Sequence, residues 1–160
     1  MTAERTITLT PIGYVHSTRR DLRDDDWDSV RSRIELTAAF EPEALDGIEA
    51  FSHAEIVFVF DRADEREIAR GARQPRGNPE WPRVGIFAQR GSRRPNLLGA
   101  TIVRIVARGG RTLEVEGLDA ADGTPVVDIK PVMTEFLPRG EVRQPRWATE
   151  LMRQYWRADE

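Results

Sequence analysis

The sequence contains no cysteine, only two histidines, and a single lysine among its 24 basic residues. Without cysteine, the chain cannot form a disulfide framework, a thiolate zinc site or a thiol nucleophile. Two isolated histidines, His16 and His53, do not make a zinc site, and each is more simply a structural side chain. No apolar run approaches the ~20 residues of a membrane span, and residues 1–10 lack the apolar stretch of a signal peptide. These absences predict a cytoplasmic protein with no metal site and no membrane partner.

Charge is distributed unevenly along the 160 residues, although the formal net charge is only -3. Residues 1–69 carry 8 basic and 16 acidic side chains, a net charge of -8, and residues 112–160 carry 6 and 10, a net charge of -4. Residues 70–111 hold ten arginines and one acid, Glu80, a net charge of +9. Such a basic segment suits a polyanionic partner such as RNA. The length fits one domain over residues 1–160.

Most apolar residues alternate with polar ones, a period typical of half-buried β-strands. Strands are predicted at 7–14 with an interruption at Pro11, and at 34–40, 54–60, 84–89, 100–107, 112–116 and 126–129. The run 54–60 is nearly all apolar, so we expect it to be buried on both faces. Gly109-Gly110 predicts a hairpin turn, because both central positions of the favoured turn need positive φ.

Helical signals are few. A short helix is predicted at 42–49, and after Pro145 a four-residue recurrence of Trp147, Leu151 and Tyr155 predicts an amphipathic helix that docks on the core. Residues 19–32 predict an exposed loop, and 61–83 a long functional loop. The pattern predicts a mostly β fold: a compact antiparallel β-barrel with a few short peripheral helices and a C-terminal amphipathic helix. No Gly-x-Gly-x-x-Gly follows a strand, which excludes the usual dinucleotide-type pocket.

Residues 90–99 combine three arginines with turn-forming residues between two predicted strands. The guanidinium groups of Arg90, Arg93 and Arg94 suit an anion: a phosphate, a carboxylate or an RNA backbone. A solvated basic turn is the alternative. Pro95-Asn96 and Gly99 favour the functional interpretation, because a merely soluble surface does not require a constrained turn.

Two further segments have both a functional and a structural interpretation. In 118–125, Asp119 and Asp122 stand three positions apart, which suits hydrogen bonds from ribose hydroxyls or an amino group, but Asp122-Gly123 is also an ordinary turn signal. Trp81 lies between two prolines with Arg73, Arg76 and Arg83 around it. It is either a stacking platform for a nucleic-acid base or a side chain that pins its own loop.

Several motifs in a fixed order give the chain a family resemblance. They occupy residues 11–17, 45–53, 57–60, 85–90, 94–99 and 117–131. The most distinctive are Arg94-Pro95-Asn96 with Gly99, and Asp122-Gly123-Thr124-Pro125. Together they resemble the TsaA-like, or TrmO, family. The resemblance implies a β-barrel methyltransferase, generally a homodimer, that uses S-adenosylmethionine to methylate the threonylcarbamoyl-adenosine beside the tRNA anticodon.

The same resemblance implies where the ligands bind. For the methyl donor it implies Asp61, Arg62, Arg90, Asp119, Asp122, Gly123 and Thr124. For the tRNA we expect Arg73, Arg76, Trp81, Arg93, Arg94 and Asn96. No catalytic residue is assigned, because Asp61 and Asp119 both suit either stabilising the donor's positive charge or accepting a proton.

This chain departs from the family pattern at three places. It has Asp61-Arg62 where many members have a histidine, an acidic run at 24–26 near the donor-contacting loop, and Leu97-Leu98 where Pro-Ile is common. It is also expected to lack the additional C-terminal domain of longer members. Two alternatives remain open: a non-catalytic RNA-binding module, and a methyltransferase for a small molecule.

Overall fold

The computed structural model describes residues 3–157. The strands within them are β1 (Gly13–Ser17), β2 (Arg31–Leu36), β3 (His53–Val59), β4 (Ala72–Arg73), β5 (Val84–Gly85), β6 (Leu98–Gly109), β7 (Thr112–Glu116) and β8 (Pro125–Pro131). Six of these strands close into an antiparallel barrel in the order β1-β2-β7-β6-β3-β8, and β4 pairs with β5 in a separate two-stranded sheet. The predicted antiparallel barrel is confirmed.

Alternating side chains explain why these strands curl around one core. In β2, Ile34 and Leu36 are buried, whereas Arg33 and Glu35 are exposed. The inward side chains of the barrel strands pack into one cluster, which Leu118 joins from the loop after β7. Removal of this apolar surface from water is the main force that stabilises the barrel.

Helical structure lies outside the barrel in short segments. The helix α1 (Arg146–Leu151) follows Pro145, as predicted, and continues into a 3-10 turn. The helix predicted at 42–49 is divided into two 3-10 turns, because Gly47 between them has a φ of 86°. The 3-10 turns are Pro42–Leu45, Ile48–Ala50, Glu65–Glu67, Pro75–Gly77, Ile86–Ala88, Pro95–Leu97, Thr134–Phe136 and Met152–Gln154.

The first two strands are displaced from their predicted positions. β1 begins at Gly13, where it pairs with both β2 and β8, and not at residue 7. Ile7 and Leu9 are 75% and 53% exposed, because no neighbouring strand pairs with the residues before Pro11. β2 begins earlier than predicted and ends at Leu36, since the chain turns over residues 37–40.

The expectation that 54–60 is buried on both faces is wrong. In β3, Ala54, Ile56 and Phe58 are buried and the residues between them are half-buried. A barrel strand has one face inside and one outside, so only alternate side chains reach the core.

Two local predictions also change. In the β6–β7 turn, Gly109 pairs with Thr112 and Gly110 alone of the two glycines has positive φ, at 56°, so the turn lies one residue later than predicted. The strand predicted at 84–89 is limited to β5, because the 3-10 turn Ile86–Ala88 follows it. Pairing of β5 with β4 brings the predicted long loop back beside residues 84–89. No helix within residues 3–157 has the length and apolar character to cross a membrane.

Candidate functional site

One carboxylate of the β7–β8 loop accepts hydrogen bonds from hydroxyl groups in two distant parts of the chain. Asp119 accepts a hydrogen bond on Oδ1 from Thr101 of β6, and another on Oδ2 from the hydroxyl of Tyr155. Hydrogen bonds to an ionised acceptor are stronger than those between neutral groups. Asp119 is therefore held in a fixed orientation at the surface of the barrel.

We call Asp119, Thr101 and Tyr155 the Asp119 cluster. The pKa of Tyr155 indicates which charged groups lie near it. Burial raises the pKa of the Tyr155 hydroxyl, and the charges of Asp119 and Asp24 raise it further. The charge of Arg90 acts in the opposite direction on the same pKa. Tyr155 therefore remains a protonated donor to Asp119. Arg90 donates to the carbonyl of Ala100, the residue before Thr101, so Arg90 and Asp119 contact adjacent residues of β6.

The segment that carries Tyr155 is attached to two loops. Its backbone carbonyls at Gln154 and Tyr155 accept hydrogen bonds from the N–H groups of Asp26 and Trp27, at 3.0 and 2.9 Å. The indole Nε1 of Trp81 donates to Glu150 Oε2 at 3.0 Å. This hydrogen bond, followed by that from Arg146, lowers the pKa of Glu150. The C-terminal segment thus closes over the site.

A second group of predicted donor-binding residues joins the loop after β1 to the β7–β8 loop. The guanidinium of Arg62 donates to the carbonyl oxygens of Arg20 and Asp122, at 2.7 and 2.9 Å. The Asp122 side chain accepts from the backbone N–H of Ser17 at 2.9 Å. Arg62 and Asp122 are in direct contact, and their role in donor binding stays a prediction.

A groove lies beside this second group. It has a volume of about 510 Å³, and Ser17, Arg20, Ser32 and Asp122 are among the residues that line it. Ser32 is 2% exposed, and its hydroxyl oxygen has no hydrogen-bond partner within the described residues. Small-molecule and cofactor sites have volumes of about 300–1,000 Å³, so the groove is large enough for such a ligand.

The other residues expected at the donor have different surroundings. Thr124 is 7% exposed and donates to the carbonyl of Ala121 at 2.7 Å. Gly123 has a φ of 85°, so both residues shape the turn that presents Asp122. Asp61 is exposed, and within the described residues its side chain makes no hydrogen bond or ion pair.

Three of the residues expected to contact tRNA are engaged inside the chain. Arg76 forms ion pairs with Asp25 at 3.0 Å and with Asp24 at 3.6 Å. Arg93 pairs with Glu67 at 2.9 Å. Trp81 is held by Glu150, so its loop-pinning interpretation is the one that the geometry favours.

Two of the remaining three, Arg73 and Arg94, contact Gln89, a residue of the 85–90 motif to which no role was assigned. Gln89 is 8% exposed, and its side-chain amide donates to the carbonyls of Arg73 and Val84 at 2.9 and 3.0 Å. Arg94 in turn donates to the carbonyl of Gln89 at 2.6 Å. Asn96 follows in the next turn with a φ of 66°. Gln89 therefore joins the small β4–β5 sheet to the arginine-containing turn.

The ten arginines of residues 70–111 divide into two groups. Five form ion pairs with carboxylates: Arg76, Arg93, Arg104, Arg108 and Arg111. The other five have no carboxylate partner within the described residues, and all lie between residues 70 and 94. We call Arg70, Arg73, Arg83, Arg90 and Arg94 the arginine surface.

Sequence patterns did not indicate two members of the site. Thr101 is one of several polar residues in β6, and nothing marks it as a partner of Asp119. Tyr155 was expected only to dock on the core, because its partner lies 36 residues away in the sequence. Only the fold brings these groups together.

Comparison with known proteins decides the family. The sequence-family model of the tRNA-methyltransferase O N-terminal domain matches residues 23–136. The chain belongs to the tRNA-methyltransferase O family. This family is the one that the ordered sequence motifs resemble, so that prediction is confirmed.

Individual relatives agree with the family. A probable S-adenosyl-L-methionine-binding protein of Pyrococcus abyssi is 36% identical over 141 residues, which cover 86% of this chain and 74% of that protein. The tRNA (adenine(37)-N6)-methyltransferase of Escherichia coli K12 is 39% identical over 119 residues, covering 69% of this chain and 49% of that enzyme. A crystal structure of TrmO from Pseudomonas aeruginosa superposes with a TM-score of 0.74 at 28% identity, covering 92% of this chain and 64% of that one.

The chain therefore spans about half of the E. coli enzyme and just under two thirds of the TrmO structure. At the level of the family, the predictions of a methyltransferase and of S-adenosylmethionine as its methyl donor are confirmed. Because the chain covers only part of these two proteins, its own activity, substrate and partners are proposals.

Proposed function

We propose that this protein is an S-adenosylmethionine-dependent methyltransferase that acts on the threonylcarbamoyl-adenosine beside the anticodon of tRNA. The observation that carries the proposal is the Asp119 cluster. Asp119 and Thr101 lie within the family-matched residues 23–136, and Arg90 contacts Ala100, the neighbour of Thr101 in β6. The arginine surface, within residues 70–94, supports the choice of RNA as substrate.

The residues present fit the proposed methyl donor. S-adenosylmethionine has a sulfonium cation, two ribose hydroxyls, an amino group and a carboxylate. Asp119 and Asp122 suit the cation, the hydroxyls and the amino group, whereas Arg90 suits the carboxylate. The 510 Å³ groove beside Asp122 has room for a ligand of this size.

Bound in this site, the donor supplies a methyl group activated by a positively charged sulfur. The protein's task is to position the acceptor nitrogen in line with that methyl group, and orientation of two reactants supplies at most about 7–11 kcal/mol. Arg62 holds the loop after β1 against the β7–β8 loop and so fixes the walls of the site. The C-terminal segment around Tyr155 excludes water from one side.

The two candidate carboxylates receive different roles. Both oxygens of Asp119 already accept hydroxyl hydrogen bonds, so we assign Asp119 to binding and orienting the donor. Asp61 is exposed and its side chain has no partner among the described residues. We therefore propose Asp61 as the group that accepts the proton released from the acceptor nitrogen.

The decisive experiment is methyl transfer from tritiated S-adenosylmethionine to tRNA isolated from cells that lack the enzyme. We expect label in the wild-type reaction and little label with Asp119→Asn, whose fold is verified by circular dichroism. Calorimetry measures donor binding separately, and no binding at millimolar donor would contradict the proposal. Donor binding without tRNA labelling would favour a small-molecule acceptor. Salt-sensitive tRNA binding without donor binding would favour a non-catalytic RNA-binding module.

We further propose that residues 1–160 form one domain, that the protein is a homodimer and that it acts in the cytoplasm. The first point is supported by the single core cluster of the barrel. The second is supported by the exposed apolar side chains Ile102 and Val106 of β6, which are 47% and 39% exposed. Sedimentation of the purified chain tests for a dimer, and a monomer at micromolar concentration would contradict it.

A further inference from the structure

Phe87 is a large aromatic side chain that the fold holds in solvent. It lies in the 3-10 turn Ile86–Ala88 and is 78% exposed. The residues around it are anchored, since Ile86 is 2% exposed and Gln89 is 8% exposed. The backbone N–H of Ile86 donates to Gly71 at 2.8 Å, and that of Gln89 donates to Ile86 at 3.2 Å. The ring is therefore presented by a fixed backbone.

Arginines lie on both sides of Phe87 along the chain. Arg83 and Arg90 flank it in the sequence, and both belong to the arginine surface. Arg83 donates through Nε to the carbonyl of Ala72 at 3.1 Å, and Arg90 donates through Nη2 to that of Ala100 at 2.6 Å. A guanidinium has five N–H donors, so each arginine retains donors for an anion after its backbone contact.

We propose that Phe87 is a stacking platform for an unpaired base of the RNA substrate, with the arginine surface binding the phosphates on either side. Single-stranded RNA is recognised by this combination of an aromatic face and arginines. A polyanion complements five arginines that have no carboxylate partner. This inference rests on the proposed function and adds to it the residue that contacts the base, in place of Trp81.

The chain contains a matched control for this residue. Phe136 is 85% exposed and also lies in a 3-10 turn, Thr134–Phe136. Its neighbour in that turn is Glu135, and no member of the arginine surface lies near it in the sequence. Both phenylalanines are largely exposed, so replacing either by alanine is expected to leave the fold intact.

The test measures binding of an anticodon stem-loop RNA that carries 2-aminopurine in its loop, whose fluorescence is quenched by stacking. We expect Phe87→Ala to weaken binding by roughly 5- to 150-fold, the equivalent of the ~1–3 kcal/mol of one stacked base, and to lose the protein-dependent quenching. Phe87→Tyr should retain both, whereas Phe87→Leu should behave like the alanine variant. Phe136→Ala should bind like the wild type, and donor affinity should be unchanged in all four variants.

Two outcomes would overturn the inference. One is equal RNA affinity of Phe87→Ala and the wild type, or no RNA binding by the wild type at all. The other is a change of sedimentation coefficient for Phe87→Ala and Phe87→Leu with RNA affinity retained, which would assign the ring to contact with a second copy of the chain. If the stem-loop binds through Phe87 but tRNA is not methylated, the inference stands and the proposed function fails. If tRNA is methylated equally by wild type and Phe87→Ala, the proposed function stands and the inference fails.

Discussion

At the residue scale, the Tyr155–Asp119 hydrogen bond gives the protein a defined response to alkaline pH. The pKa of the folded Tyr155 hydroxyl is raised above the ordinary tyrosine value of about 10. The folded state therefore keeps this proton at pH values where the unfolded chain loses it. The stability that Tyr155 contributes is therefore fully present below pH ~10 and is lost as the pH rises above that value.

Tyr155→Phe removes both the hydrogen bond and the proton. We expect its free energy of unfolding at pH 7 to be about 1.5–3 kcal/mol lower than that of the wild type, because a hydrogen bond to a charged group is lost. Above pH 10 the gap should narrow, since only the wild type loses stability there through Tyr155. Urea denaturation at several pH values measures both effects. Tyr14→Phe, at a 42% exposed tyrosine, is the control, and parallel curves for wild type and Tyr155→Phe would contradict the assignment.

Substitution of Arg90 and substitution of Arg76 are predicted to have different effects on the affinity for the methyl donor. Arg90 contacts Ala100, next to the Thr101 that binds Asp119, whereas Arg76 is held by Asp24 and Asp25. Loss of a charge-assisted hydrogen bond corresponds to about 1.5–3 kcal/mol, so Arg90→Ala should weaken donor binding by roughly 10- to 150-fold. Arg76→Ala should leave the affinities for donor and tRNA nearly unchanged, because its guanidinium is already held by two carboxylates. Isothermal titration with each ligand measures this, and equal losses in both variants would refute the division.

Individual residues were predictable where a motif fixes them and unpredictable where the fold alone unites them. Arg90 and Asp119 came from family motifs; they contact adjacent residues of β6, and their role in donor binding stays a prediction. The ring of Tyr155 reaches Asp119 only because the C-terminal segment folds back over the barrel. Arg76 looked like a nucleic-acid contact because its acidic partners, Asp24 and Asp25, lie 52 and 51 positions earlier.

At the scale of elements, the turn before β6 depends on a close approach of backbone to aromatic rings. A Cβ atom at Gly99 would lie 2.6 Å from the Phe58 ring and 2.9 Å from the Phe60 ring. Preceding this contact, Asn96 and Leu97 both have positive φ, at 66° and 54°. Asparagine tolerates this conformation better than leucine does, so the turn is strained at Leu97.

Gly99→Ala is therefore predicted to destabilise the fold by about 1–3 kcal/mol, the usual effect of an added methyl group in a packed core. Displacement of Phe60 should also disturb Asp61 and Arg62, which follow it directly. Gly85→Ala is the control, because its Cβ would meet no atom within 4 Å. Thermal unfolding measures the stability of both variants. Equal melting temperatures would show that the rings move aside without loss.

The positions of elements followed from sequence only as far as local patterns reach. The alternation at 112–116 predicted β7 with correct bounds, because that strand's inside and outside faces differ in polarity. The all-apolar run of β3 gave the wrong burial, since Val57 and Val59 point away from the core and are half-buried there. The alternation of apolar and polar residues does not show which strands pair, and it is pairing with β2 and β8 that decides where β1 begins.

On the scale of the whole molecule, the three charged segments of the sequence neutralise one another in part. Arg104, Arg108 and Arg111 near the hairpin pair with Asp28, Asp46 and Glu41, which belong to the acidic first segment. Of the ten arginines in the basic middle segment, the five without a carboxylate partner among the described residues all lie within residues 70–94. The basic middle of the sequence was evident from composition, but the division between paired and unpaired arginines required the fold.

This division predicts different salt dependences of tRNA binding for two similar substitutions. Each phosphate contact contributes about 0.7–0.9 to the slope of log affinity against log salt, because a bound cation releases condensed counterions. Arg83→Ala removes an arginine of the arginine surface and should reduce the slope by roughly that amount. Arg111→Ala removes one that already pairs with Glu41 at 3.9 Å, and its slope should match that of the wild type. Fluorescence anisotropy of labelled tRNA over a series of salt concentrations measures each slope. An equal reduction in both variants would mean that RNA contacts the hairpin side of the barrel as well, and that ion pairing within the chain does not select the binding face.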